Sequence, residues 1–160
     1  MTREADSDGL RRSPIYLLHR AEQCAADLFH AEMGDRDLTP RQLAVLTAVS
    51  EKEGESQTDL TGRTGIDRST LTDLVGRLQR KGLVQRRRKS DDARTNAVTL
   101  TDKGQRLLRV AEPLGKRVDE RVLEASPKKQ RQKFIDALAS IVDALQDLSS
   151  QSSRRAKVRS

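Results

Sequence analysis

The chain reads as mainly α-helical with one small β-hairpin, and three observations carry that reading. Apolar residues recur every three or four positions along most of the 160 residues. Cap-then-proline pairs, Thr39-Pro40 and Ser126-Pro127, mark two helix starts. Only one stretch, after Gly82, loses helical spacing and becomes short extended segments around a charged tip.

Taken in order, residues 1–12 have no periodicity and read as a disordered arm. From Pro14, the positions Ile15, Leu18, Ala21, Ala25, Leu28 and Phe29 form one apolar face of a first long helix, ending near Gly34. Thr39-Pro40 starts a second helix carrying Leu43, Leu46 and Val49 to about Glu51, and Glu53-Gly54 breaks it. Ser56 starts a short third helix through Arg63 with Leu60 inward, and Gly65 turns the chain. Asp67 then caps a fourth helix to Lys81, with Leu71, Val75 and Leu78 on one face and Gly82 at its C-terminal turn. Leu83 to Arg88 and Ala97 to Thr101 are the two strands of the hairpin, with Lys89 to Asn96 as its tip. Thr101 caps a fifth helix with Leu107, Ala111, Leu114, Val118 and Val122 inward and a kink expected at Pro113. In the last helix Phe134, Leu138, Ile141, Leu145 and Leu148 step by four, three, four and three, a heptad seam that asks for a partner helix or for packing within the chain. Residues 150–160 read as a loose basic tail.

Composition narrows the classes. About a third of the residues are hydrophobic, with no Trp, one Tyr and two Phe, so aliphatic side chains must do the packing. No run of 18 apolar residues exists and the first twelve residues are polar, which predicts a cytoplasmic chain with no membrane partner. One cysteine, Cys24, and two histidines, His19 and His30, allow no disulfide framework and no zinc-ligand spacing, so no metal or cofactor is expected. Without a nucleophile–base pair, an enzyme is not expected either. The net charge of +7 is concentrated: Arg77 to Arg94 holds eight bases and two acids, and Arg154 to Ser160 holds four bases and no acids. The remainder is slightly acidic. A basic stripe on an acidic body is the electrostatic footprint of a polyanion binder.

Two short helices joined by a glycine turn and followed by a basic hairpin form a winged helix-turn-helix. With Leu71, Val75 and Leu78 turned to the core, Arg68, Ser69, Thr70, Thr72, Asp73, Gly76 and Arg77 face outward. These are mostly short hydrogen-bonding side chains, which allow close approach to a duplex; an unemployed helical surface would favour Glu, Lys and Ala. Double-stranded DNA is therefore the expected partner, with Arg77 reaching a phosphate or guanine edge and Arg86, Arg88 and Lys89 on phosphates. A non-specific architectural binder would share the stripe, whereas a stacking RNA binder would need more aromatics than three.

The segments Leu38 to Leu46, Gly65 to Thr72, Leu78 to Val84, Asp91 to Arg94 and Leu100 to Gly104, in this order and spacing, resemble the MarR family of bacterial transcription regulators. The resemblance covers about residues 12–148. It implies a winged helix-turn-helix over 38–101 within a domain over 13–149. Dimerisation helices over 13–34 and 102–149 would make a homodimer on a pseudo-palindromic operator. It places the wing pattern Asp-x-Arg on Asp92 and Arg94, the carboxylate orienting a guanidinium in the minor groove, and repression is the family's usual mode.

The resemblance also implies an effector pocket between dimer core and DNA-binding lobe. Tyr16, His19, Arg20 and Gln23 share one side of the first helix near that position, and cationic donors suit a small anionic, aromatic acid. A surface link from Arg20 to a helical neighbour is the alternative. A peroxide-sensing branch of the family uses a first-helix cysteine, but nearer Ile15 or Tyr16 and with tyrosines around Leu38 and Gln42. Cys24 lacks a base in the next turn and has Glu22 and Asp27 nearby, so a buried or half-buried inert thiol is expected in place of a redox sensor.

Overall fold

The computed structural model describes the backbone of residues 9–89 and 92–158 and the side chains of 9–87 and 97–149. Its elements are α1 (Pro14–Met33), α2 (Pro40–Glu51), β1 (Glu55–Ser56), α3 (Gln57–Thr64), α4 (Arg68–Arg80), β2 (Val84–Lys89), β3 (Asp92–Leu100), α5 (Asp102–Glu124) and α6 (Arg131–Val158). Single 3₁₀ turns, Gly34–Arg36 and Lys128–Gln130, follow α1 and precede α6. The chain divides into two compact units, Met1–Asp119 and Glu120–Ser160.

Local chemistry explains most of the boundaries. Thr39 and Gln42 form a reciprocal capping box at the start of α2, with Pro40 in the first turn. Ser56 and Asp59 do the same for α3, which stops at Gly65 in the left-handed region (φ 66°). Thr101 Oγ1 accepts the Gly104 N–H and donates to the Gly82 carbonyl, so one hydroxyl starts α5 and ties it to the turn after α4. Gly104 is required for another reason. A Cβ there would lie 2.0 Å from the Leu83 carbonyl oxygen, so α5 reaches the start of the wing only because this residue has no side chain.

The core of the first unit gathers the lower end of α1 (Phe29, Met33), α2 (Val45, Leu46, Val49), Leu60 of α3, Leu71, Val75 and Leu78 of α4, the wing base (Val84, Val98, Leu100) and α5 (Leu108, Ala111). Full burial of each such aliphatic side chain stabilises by about 1.5–3 kcal/mol. The sheet has strand order β1-β3-β2, all antiparallel, with Glu55 opposite Val98 and Val84 opposite Leu100. The register slips between Arg88 and Lys89.

Several expectations need correction. The wing is three-stranded: β1 is a two-residue polar strand, too short to show any alternation in sequence. The expected disordered arm and loose tail overlap helical backbone. Residues 9–11 make a helical turn closed by Arg12 N–H to Gly9 O and Ser13 N–H to Leu10 O. α6 continues through Val158 because no Gly or Pro follows Pro127 to stop it. α5 holds the exposed Pro113 inside one continuous helix, Asp102–Glu124. The expected inward face of α1 is buried only toward its C-terminal end: Ile15 and Leu18 are exposed, and so is Cys24, which was expected to be at least half-buried.

Candidate nucleic-acid interface

The end of α2 and α3, the first helix of the turn, meet the wing through one charged cluster. Arg63 of α3 donates to the Ala48 carbonyl at 2.9 Å and to Glu55 Oε2 at 2.8 Å, while Lys52 Nζ lies 3.1 Å from Glu55 Oε1. Glu55 is almost fully buried in β1, and the Arg63 guanidinium beside it holds its carboxyl below the usual glutamate range. The cluster therefore joins the end of α2, the first wing strand and α3. It fixes the base of the wing against the helix pair.

On α4 the side chains separate as the spacing predicts. Leu71, Leu74, Val75 and Leu78 are buried, Arg68, Ser69, Thr72, Asp73 and Arg77 are exposed, and Thr70 and Gly76 are half-buried. The exposed face is already hydrogen-bonded. Asp67 accepts the Thr70 N–H at 3.0 Å and the Ser69 hydroxyl at 2.7 Å, and these bonds, with that of the Thr70 side chain, hold its carboxyl far below the ordinary aspartate value. Thr72 donates its hydroxyl to the Arg68 carbonyl at 2.7 Å. Arg77 Nε lies 2.9 Å from Asp73 Oδ2 one turn back. Both partners of that pair are more than half exposed, so it contributes little stability, and its effect is to orient the guanidinium.

In β2, Arg86 and Arg87 are exposed and point to opposite faces of the sheet, since neighbouring strand residues alternate. Arg87 and Gln85, with Glu53, Thr99, Asp102 and Gln105, line a shallow polar cavity of about 410 Å³ at the junction of the wing with α5. The side chains expected to work at the wing tip, Arg88, Lys89, Asp92 and Arg94, lie outside the described residues. Their backbone belongs to β2 and β3, so all four are carried by the wing.

The four expected effector residues all lie on α1. Tyr16 is half-buried, and His19, Arg20 and Gln23 are exposed. Arg20 Nη1 donates to Gln23 Oε1 at 2.9 Å, a link to a helical neighbour. Sequence reasoning missed Gln57, the first residue of α3, whose amide reaches across to Thr72. The capping box Ser56-x-x-Asp59 put Gln57 at the helix start, but nothing in the sequence joins positions fifteen residues apart.

A sequence profile described as the MarR family matches residues 38–95. The transcriptional regulator HosA of Escherichia coli O157:H7 is 31% identical over 107 residues, covering 67% of this chain and 79% of HosA. The chain belongs to the MarR family. Solved MarR-type structures carry the likeness beyond the helix-turn-helix. PcaV, a transcriptional regulator from Streptomyces coelicolor crystallised with its natural ligand, matches with a TM-score of 0.79 at 30% identity, over 85% of this chain and 96% of PcaV. The transcriptional repressor CouR bound to a 23-mer DNA duplex matches with a TM-score of 0.74 at 30% identity, over 82% of this chain and 94% of CouR. CouR bound to p-coumaroyl-CoA matches with a TM-score of 0.73 at 28% identity, over 82% of this chain and 93% of CouR. The fold of this MarR-family chain is a winged helix-turn-helix with flanking helices, as its sequence predicts. Among the described residues no helix is long and apolar enough to cross a membrane, and no group of three metal-ligating side chains occurs.

Proposed function

We propose that this MarR-family regulator is a repressor without catalytic activity that binds a pseudo-palindromic operator as a homodimer and leaves it on taking up a small anionic, aromatic effector. The observation that carries the DNA reading is the outward face of α4: exposed Ser69, Thr72 and Arg77, each held by an intramolecular bond, beside a wing with exposed Arg86. Such a face needs little rearrangement to dock, because its side chains are already ordered. CouR bound to a DNA duplex, a relative of the same fold, supports DNA as the partner. Arg68, Thr70 and Asp73 complete the face toward the major groove. Asp92 and Arg94 are assigned to the minor groove from the family's wing pattern, and Arg88 and Lys89, with Arg86, to phosphates from the basic charge of the wing.

The dimer rests on apolar surface. Phe134, Ile141, Leu145 and Leu148 of the seam leave 41–59% of their surface open, and Ile135 and Val142 beside them are exposed too. So much aliphatic surface on one helix marks an interface. Residues Ile15, Leu17 and Leu18 of α1 repeat the pattern in the other unit.

For release, the dimer needs two states, one whose recognition helices match half-sites a helical turn apart and one whose spacing does not. The effector acts only through its preference for the second state, and a tenfold loss of DNA affinity needs about 1.4 kcal/mol of it. His19 and Arg20 are the proposed donors, with Tyr16 and Gln23 beside them. CouR bound to p-coumaroyl-CoA supports an aromatic effector class, and PcaV with its natural ligand supports a small-molecule effector. The test is selection of a duplex from random DNA, followed by titration with aromatic acids and their CoA thioesters. Arg20→Ala is expected to keep operator affinity and to lose the ligand's effect, and Cys24→Ser to change neither. An oxidant response abolished by Cys24→Ser, with Arg20→Ala silent, would replace the ligand mechanism by a thiol one. Equal affinity for all duplexes would replace the operator reading by an architectural one.

A further inference from the structure

Thr72 is assigned above to the major-groove face, and its hydroxyl is the obvious group to read a base. Its hydrogen bonds argue otherwise. The one hydroxyl hydrogen is donated to the Arg68 carbonyl at 2.7 Å, which leaves the oxygen able only to accept. Gln57, half-buried at the first position of α3, takes one of its two lone pairs: its Nε2 donates to Thr72 Oγ1 at 3.3 Å. The same logic fixes the amide. Only its NH₂ end can face an oxygen that has no hydrogen to give, so Oε1 must turn away.

We infer that Gln57 is a positioning residue that locks the Thr72 hydroxyl, so that Thr72 reads DNA through its methyl group and selects a thymine methyl. A side chain whose only donor is bound to the helix backbone and whose oxygen is held by a neighbouring helix has no hydrogen to offer a base acceptor, and its Cγ2 methyl is left to pack on a base. Apolar contact between a threonine methyl and the thymine C5-methyl is an established mode of major-groove readout. Three elements of the protein thereby decide one base: the backbone of Arg68, the amide of Gln57 and the methyl of Thr72.

This inference rests on the operator reading above, and the test separates the two. A duplex is selected from random DNA with the full chain, and each thymine is then replaced singly by deoxyuridine, which removes only the methyl group. Wild type is expected to lose about fourfold in affinity at one position of each half-site, the fold-change of one buried methyl. Thr72→Val, which keeps a methyl and lacks the hydroxyl, should retain that sensitivity. Thr72→Ser, which keeps the hydroxyl and lacks the methyl, should lose it. Gln57→Ala should bring the thymine-over-uracil ratio at that position toward one while changing affinity for a mixed-sequence duplex less than twofold. A flat uracil scan in wild type, or retention of the preference by Thr72→Ser and its loss in Thr72→Val, overturns the methyl readout. An unchanged ratio in Gln57→Ala overturns the role of the amide. Failure to select any duplex overturns the operator reading itself.

Discussion

In the winged module Leu60, Leu71 and Leu78 are fully buried, whereas on α6 Leu145 and Leu148 leave more than half of their surface open. The residue type is the same and the helical spacing is equally regular. In the first region α1 to α4, the sheet and α5 supply the neighbours; along α6 the seam residues Phe134, Ile141, Leu145 and Leu148 stay exposed. Regular apolar spacing thus reports that a face will be buried without saying by which chain. The module's stability should be intramolecular, and that of the seam should depend on protein concentration.

The largest effect should come from the closest approach inside the module. Gly104→Ala forces a methyl group onto the Leu83 carbonyl, and a loss of about 3 kcal/mol or more is expected, read as a fall in denaturant midpoint independent of protein concentration. Leu60→Ala should cost about 2–5 kcal/mol in the same assay. If either loss shrank on raising protein concentration, the division between the two regions would be wrong.

Changes on the seam should behave in the opposite way. Leu145→Asp is expected to halve the mass seen in sedimentation at micromolar concentration while leaving the module's unfolding transition in place. Operator affinity should then fall by tenfold or more, because the second winged module no longer binds at high effective concentration. A variant still dimeric would assign the seam to packing within the chain.

At the wing, Arg94→Ala should weaken operator binding by about 1–3 kcal/mol and relax preference at the operator flanks. Lys89→Ala should weaken all duplexes alike and lower the salt slope by about one. Neither should alter thermal stability.

The smallest effect concerns pH. The folded-state pKa of Glu55 is lowered, chiefly by Arg63, so its contribution is complete above the ordinary glutamate value of about 4.3 and is lost as pH falls toward the lowered one. The denaturant midpoint should be flat from pH 7 to about pH 5 and decline below that. In Glu55→Gln the decline should be shallower.

What was legible in the sequence was what short-range chemistry decides. Thr39-Pro40, Ser56, Asp67 and Thr101 each start a helix through a side chain reaching three residues on, and all four caps form. The outward face of α4 followed from periodicity alone. What was missed depends on contacts between distant residues. β1 exists because Glu55 and Ser56 pair with Val98 and Ala97, more than forty positions away. The Gln57–Thr72 bond and the Arg63–Glu55 link need the helix turn and the wing already folded. Cys24 is exposed against expectation because a helical apolar stripe does not say how much of its length is buried: Phe29 and Met33 are, Ile15 and Leu18 are not.

The measurement that bears most directly on the account is a footprint and stoichiometry of the full chain on a selected duplex. Two chains per duplex should protect two inverted half-sites centred about one helical turn apart, with the minor groove covered at the outer flanks by the wings. Protection of a single half-site by one chain, or uniform protection without sequence preference, would contradict it.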